Sequence, residues 1–280
     1  GMDQMLEDYG VTIVDFNEGS TVSYPQGHTA KEFFLAKPVQ ETDALINLCK
    51  MKTHALERVT GGVKNLYGCI SGLHKAKGHT KYTNADIFAR QLIDLNQLIK
   101  PRFCVMDGIV AMDGNGPTSG DPVKMKVLLL GNDPVAIDSV YCHLVHLDPQ
   151  MVPTNVHGET MGLGTWREEN IRLLTDGGEI TMQEAVERFG NPDFNVDRKK
   201  QRGNLWNRFN NGFLRYFQKK PYIEADKCKK CGICVEACPV EEKALQFKNG
   251  RRKPPVYNYH KCIRCFCCQE MCPHKAIQVK

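Results

Sequence analysis

Eight of the thirteen cysteines in this 280-residue chain fall into two copies of one spacing near the C-terminus. The copies are Cys228-x2-Cys231-x2-Cys234-x3-Cys238-Pro239 and Cys262-x2-Cys265-x2-Cys268-x3-Cys272-Pro273. A cubane needs four thiolates converging on its corners; a tight loop with a cysteine at every third position turns three of them inward and leaves the fourth to come from elsewhere. Proline after each last cysteine keeps the local turn from continuing as helix. Thiolates also suit soft iron–sulfur chemistry better than any hard-cation site. The spacing therefore reads as two [4Fe–4S] clusters. Two plainer readings compete with it. Structural zinc commonly uses two Cys-x2-Cys pairs around one tetrahedral ion, and requires neither the third cysteine of each motif nor the Cys-Pro step. A disulfide framework suits small secreted domains, and no signal-like segment is read at the start of this chain.

The repeat extends past the cysteines. Lys227-Cys228 through Ala244-Leu245-Gln246-Phe247 echoes Lys261-Cys262 through Ala276-Ile277-Gln278-Val279, so each half reads as ligand loop, short helix and apolar strand. From about Tyr222 to Lys280 the chain resembles a bacterial-type two-cluster ferredoxin. That resemblance implies an exchange of fourth ligands between the halves. One cluster would take Cys228, Cys231, Cys234 and Cys272, and the other Cys262, Cys265, Cys268 and Cys238. The second loop departs from the first in two ways: Phe266 stands where the first has Gly232, and an additional Cys267 precedes Cys268. Cys267 is read as a packed thiol in preference to an alternative ligand.

Composition narrows the remaining possibilities. With 41% hydrophobic and 25% charged residues the chain is ordinary globular protein, long enough for about two domains. Its strongest apolar run, Val127 to Leu130, meets Gly131-Asn132-Asp133 at once, far short of the roughly 20 residues a membrane-spanning helix needs, so no transmembrane segment is expected. The formal charge of +5 counts cysteine as neutral. Two oxidised clusters on four thiolates each carry on the order of −2 apiece, which removes most of that excess and any argument from basicity for a nucleic-acid partner. Labile clusters and several free cysteines point to the reducing cytoplasm. Gly1 before Met2 is read as an added residue, outside fold reasoning.

Periodicity over the first two hundred residues alternates strand and helix. Val11–Phe16, Ala44–Leu48, Phe103–Met106 and Lys126–Leu130 are short β-rich runs. Asn84 is placed to cap a helix through about Ile99, with Phe88, Leu92, Leu95 and Ile99 on one face and Pro101 ending it. Asp133-Pro134 opens another, whose apolar side is Ile137, Val140, Tyr141 and Leu144. Thr181-x-x-Glu184 is a capping box with Gly190 as its stop. Such alternation predicts a layered α/β domain over residues 1–195. Residues 196–221 read as a basic amphipathic linker with Leu205, Trp206, Phe209, Phe213 and Phe217 interleaved among Asn, Arg and Lys. Residues 222–280 form the small α+β ferredoxin-type domain.

A second set of motifs lies in the α/β part. Asp43 to His54 leads into Thr60-Gly61-Gly62-Val63-Lys64-Asn65-Leu66-Tyr67-Gly68, and Asp107 to Pro117 and Asn132 to Asp138 follow in order. These three segments resemble the domain of unknown function 362 family of iron–sulfur-associated proteins, for which no reaction is implied. Two departures are evident: Cys49 stands where that family usually has proline, and the strands that usually precede Asp3 are lacking, which implies a shortened N-terminal part.

A strand ending at Leu48 would bring Lys50, Lys52, Thr53 and His54 to the carboxyl edge of a sheet, where open α/β folds bind ligands. The glycines after Thr60 permit close backbone approach, and a helix starting there would offer free amides to an anion. Lys52, Thr53, His54, Thr60, Gly61, Gly62, Lys64 and Asn65 are therefore candidates for holding a small carboxylate or phosphate ligand, with Lys75 and His79 adding charge nearby. Ordinary solvated lysines around a plain turn is the competing reading. Asp107, Asp113, Asn115 and Asp133 form a candidate polar loop set for a cation or substrate, or plain turns. Cys49 is read as a buried strand residue before a reactive thiolate, and Cys69, Cys104 and Cys142 as core. The leading expectation is an intracellular single-electron transfer protein with a redox partner protein. A reductase acting on an anionic ligand, and a binding or scaffold protein with purely structural clusters, are the alternatives.

Overall fold

The computed structural model describes residues 2–71, 74, 78, 81–82, 84–199, 219–248 and 250–280. Lys75, His79 and the apolar residues Leu205 to Phe217 of the expected linker lie outside the described residues.

The chain begins with helix α1 (Met2–Asp8) and a hairpin of β1 (Gly19–Ser23) and β2 (Glu32–Ala36), followed by α2 (Lys37–Glu41). Val11–Phe16 forms no strand and stands exposed. Its β-rich composition finds no ladder to join, and β-propensity acts only through pairing and packing.

The central sheet is built from β3 (Ile46–His54), β4 (Arg58–Thr60), β5 (Phe103–Asp113), β6 (Asp121–Val123) and β7 (Val127–Gly131). Strand β3 runs parallel to β5, with Ile46 beside Phe103 and Lys50 beside Asp107. Strand β4 folds back antiparallel on β3, and β6 and β7 pair in succession along the other flank of β5. The α/β expectation holds: the parallel pair is joined by a crossover containing α3 (Gly62–Asn65) and α4 (Ala85–Ile99). Both long strands exceed their expected ends at Leu48 and Met106, because pairing with β4 and β6 extends the ladder beyond the apolar runs.

Helix α5 (Pro134–Leu144) begins where expected. The Asp133 side chain accepts from the amides of Val135 and Ala136, and Pro134 occupies the first turn, where a missing N–H costs nothing. Asn84 caps α4 by accepting from the Ile87 amide, and Lys100 ends it in the left-handed region ahead of Pro101. After α6 (Pro153–Thr160) and the hairpin of β8 (Leu173–Thr175) and β9 (Gly178–Ile180), α7 (Met182–Phe189) carries the complete capping box of Thr181 and Glu184.

One core packs the inward face of the sheet, through Cys49, Met51, Cys104 and Met106, against Ile137, Val140, Tyr141 and Leu144. A second gathers Phe33, Leu35, Val63 and Tyr67 around Phe88, Leu92 and Leu95. The opposite face of the sheet has Ile46, Leu48, Phe103, Leu128 and Leu130 exposed. Cys49, Cys69, Cys104 and Cys142 are buried, in agreement with the core reading.

The C-terminal unit is small and closed by its own ends. Strand β10 (Pro221–Ile223) pairs antiparallel with β13 (Ile277–Val279), and β11 (Leu245–Gln246) with β12 (Val256–Tyr257). Between them lie two four-residue helices, α8 (Ile233–Glu236) and α9 (Cys267–Glu270), one after each cysteine loop. No described helix is long and apolar enough to cross a membrane.

Candidate metal centre

The two cysteine loops take the same backbone course. Lys230 and Gly232 flank Cys231 with positive φ angles of 57° and 92°, and Arg264 and Phe266 flank Cys265 with 59° and 61°. Alternating left-handed residues curl each loop so that its side chains converge on the inside. Gly232 adopts this conformation without strain, whereas Phe266 has a Cβ and bears a cost of about 1–2 kcal/mol. Its ring is buried against the second loop's cavity, and this packing offsets the strain.

Two narrow, apolar cavities result. Cys228, Cys231, Cys234 and Cys272 line the first, together with Ile223, Pro255 and Ile277. Cys238, Cys262, Cys265 and Cys268 line the second, together with Leu245, Tyr257 and Phe266. Three thiols of each cavity belong to one motif and the fourth to the other. All thirteen cysteines are free of disulfides. Among the described residues no three His, Cys, Asp or Glu side chains stand close enough to hold a single metal ion. Thiols spaced around the wall of an apolar cavity fit a cluster with several iron corners better than one tetrahedral zinc.

Polar groups meet two of the sulfurs. The Tyr257 hydroxyl is 3.2 Å from Cys268 Sγ, and the Ala276 amide donates to Cys272 Sγ at 3.4 Å. Burial and three neighbouring thiols, Cys272, Cys228 and Cys231, push Cys234 up to about 11, and these four side chains would hold a cluster as thiolates, their protons released on binding. Cys267 is absent from the second cavity's lining; its thiol is hydrogen-bonded to Cys265, and this contact with burial pushes it well up.

In the α/β part the candidate anion residues have internal partners. The amides of Gly62 and Val63 donate to the buried Asp138 carboxyl oxygens at 2.6 and 3.1 Å, so the helix start meets acceptors supplied by the chain itself. A Cβ on Gly61 would collide with Asp138 Oδ1, which accounts for that glycine. Asn65 donates to Asn47 Oδ1 at 2.7 Å, and Thr53 donates to the Gly114 carbonyl at 3.0 Å. Thr60 pairs with Lys52 in the β3–β4 ladder. Lys52 is half-buried and pushed down, first by burial and then by Lys50 and Lys64, so the three lysines lie near one another, with the charge of Lys50 taken up by Asp107. Because β3 continues through His54, Lys50 and Lys52 stand along the strand and not beyond its end.

The polar loop residues are likewise separated. Lys50 pairs with Asp107 at 2.5 Å, and both are too exposed for more than about 1 kcal/mol. Asp113 accepts from the Asn195 amide, and Asp133 caps α5 and accepts from the Thr165 amide. They gather at no common point. Burial and the contact with Cys104 at 3.8 Å hold the Cys49 thiol well up, which opposes a thiolate role.

A sequence profile described as a domain of unknown function, DUF362, matches residues 1–143. The chain belongs to this family. A 4Fe-4S dicluster domain matches residues 220–273, so this is an iron–sulfur protein that binds [4Fe–4S] clusters. A thylakoid-associated protein of Synechocystis sp., sll1697, is 35% identical over 179 residues, covering 64% of this chain and 55% of that relative. The chain thus spans about half the length of the curated relative it matches. No solved structure matches.

Asn115 of the DUF362 domain marks where the two domains meet. Its side chain donates to the Ile277 carbonyl at 2.9 Å, Thr118 donates to the Glu270 carbonyl at 2.7 Å, and Gln269 donates to the carbonyls of Asn115 and Gly116. The glycine-rich loop after β5, a candidate cation loop in sequence, is the seat of α9. His54 joins the same interface. Its Nδ1 accepts from the amides of Leu56 and Glu57, which leaves Nε2 to carry the proton and donate to Glu270 Oε1 at 2.9 Å. Burial, with Lys64 adding to it, lowers His54 to about 4, in keeping with a neutral ring. Asp138, Glu270 and Arg58 were not singled out by spacing. Arg58 donates to the carbonyls of Met151, Asp197 and Lys199, a clamp visible only after folding.

Proposed function

We propose that this DUF362 protein holds two [4Fe–4S] clusters and passes single electrons through them, either to a redox partner protein or to chemistry in the α/β domain. The observation that carries the reading is the crossed lining of the two cavities. It supports ligation of one cluster by Cys228, Cys231, Cys234 and Cys272 and of the other by Cys262, Cys265, Cys268 and Cys238. When bound, such clusters supply one-electron redox chemistry at potentials set by burial, charge and hydrogen bonds to sulfur. The chain's own part is to exclude water with Leu245 and Ile277, both fully buried, and to aim the Tyr257 hydroxyl and the Ala276 amide at ligand sulfurs. A reducing compartment such as the cytoplasm suits thirteen free thiols.

Anaerobic iron and sulfide analysis with EPR tests the proposal. Eight irons per chain and two reversibly reducible signals are expected, and Cys272→Ser should damage the cluster held mainly by the first motif. Damage confined to the second motif's cluster would refute the crossed ligation. Clusters that stay redox-silent, and whose removal unfolds the module, would give the structural-scaffold role instead.

A second reading, a reductase, draws on the neighbouring Lys52 and Lys64. It predicts phosphate or carboxylate binding that Lys52→Ala weakens about ten-fold, the effect of losing one charge-assisted contact.

A further inference from the structure

The two cavities differ in what surrounds them. In the second, Cys238, Cys262 and Cys268 are buried, whereas in the first only Cys234 is. Tyr67, from the core of the α/β domain, has its hydroxyl held up by burial first and then by Cys267, Glu270, Tyr82 and Cys265, which puts it beside the second loop. The second cavity is thus the inner one, turned toward the α/β domain, and the first is the outer one.

The outer cavity is rimmed by cations. Among the described residues Lys229 and Lys230 line it, and no acidic side chain does. The Arg251 guanidinium lies against Gly232 of the same loop, where a Cβ would stand 3.0 Å from Nη2. Arg252 and Lys253 are exposed on the turn that leads to the lining residue Pro255. From Tyr222 onward twelve lysines and arginines stand against six aspartates and glutamates, a surplus that the roughly −2 carried by each of two oxidised clusters cuts to about two, so the cationic character belongs to the rim and not to the domain as a whole. Of those six, Glu224 is engaged by Lys227 at 2.6 Å.

We propose that this rim is the docking surface for an acidic single-electron carrier protein, an inference that rests on the electron-transfer reading above. Opposite charge raises the encounter rate by roughly 10 to 10³-fold at low salt, and the effect is screened over about 8–10 Å at physiological ionic strength. The step itself moves one electron only. The carrier is oxidised by one electron and the outer cluster is reduced from 2+ to 1+, with no proton or atom exchanged.

The test measures reduction of the intact holoprotein by two donors, an acidic flavodoxin in its hydroquinone form and illuminated deazaflavin. With flavodoxin the wild-type rate should fall roughly ten-fold or more between low and high salt, and Arg252→Glu/Lys253→Glu should lower the low-salt rate by a similar factor. Iron content and the deazaflavin rate should not change. Arg252→Gln/Lys253→Gln, which removes the charges without reversing them, repeats the measurement independently of how the first variant folds. A flavodoxin rate indifferent to salt and to both variants would overturn the docking surface and leave electron transfer standing. An equal loss with both donors would assign the cations to the cluster itself and also overturn it. Failure of both donors to reduce wild type would remove the electron-transfer reading, and the docking surface with it; failure of flavodoxin alone would overturn only the docking surface.

Discussion

Replacing Asp138 by asparagine should change how folding stability depends on pH, by an amount set by the carboxyl's surroundings. Burial raises its pKa from 3.8 to about 7, against the lowering effect of the Val63 and Gly62 amides. The folded chain therefore keeps this proton up to about pH 7, while the unfolded chain releases it near 3.8. In that window the unfolded state binds fewer protons, so stability falls as pH rises, and above pH 7 it levels off. At 1.36 kcal/mol per unit, the part lost between pH 5 and pH 7 is about 3 kcal/mol. Asparagine carries no charge at any pH. It keeps one acceptor for the two amides and opposes the other with its own N–H, a fixed cost of about 1–3 kcal/mol. The stability difference between variant and wild type should thus shift by about 3 kcal/mol in favour of asparagine from pH 5 to pH 8. Urea unfolding of the holoprotein followed by far-UV circular dichroism at the two pH values measures it. Parallel behaviour of the two proteins would refute the buried-carboxyl account of the Gly61-Gly62 turn.

Tyr257→Phe removes the hydroxyl beside Cys268 Sγ and should lower the potential of the inner cluster by tens of millivolts, read by EPR-monitored redox titration, while the outer cluster stays put. Phe266→Ala should lose about 3–5 kcal/mol of packing, and Phe266→Gly should recover about 1–2 of it by relaxing the left-handed backbone. Chelator-driven bleaching should accordingly rank alanine fastest, then glycine, then wild type. His54→Ala strips an acceptor from two amides and a donor from Glu270; a cost of about 2–4 kcal/mol is expected, with faster tryptic cleavage between the domains as the readout.

Helix starts were legible residue by residue. Asn84, Asp133-Pro134 and Thr181-x-x-Glu184 each cap the helix they announce, because capping is a contact between neighbours in sequence. The cysteine repeat carried the loop geometry in the same way. Val11–Phe16 carried the composition of a strand and no information about a partner, and Leu48 and Met106 marked where apolar runs stop and not where pairing stops. The Thr60-Gly61-Gly62 turn looked open to an external anion because Asp138, the internal acceptor for its amides, lies far along the chain.

By itself, then, the sequence determined what depends on short range: the thiol spacing, the caps, the turn prolines and the alternation that makes an α/β layer. Tertiary structure decided which groups meet. It put His54 on Glu270, Asn115 on Ile277 and Arg58 on three distant carbonyls, and turned one cysteine cavity inward and the other toward a cationic rim. The physical reason is that a buried polar group must find some partner once water is excluded, but which partner is within reach is set by packing and not by the residue itself.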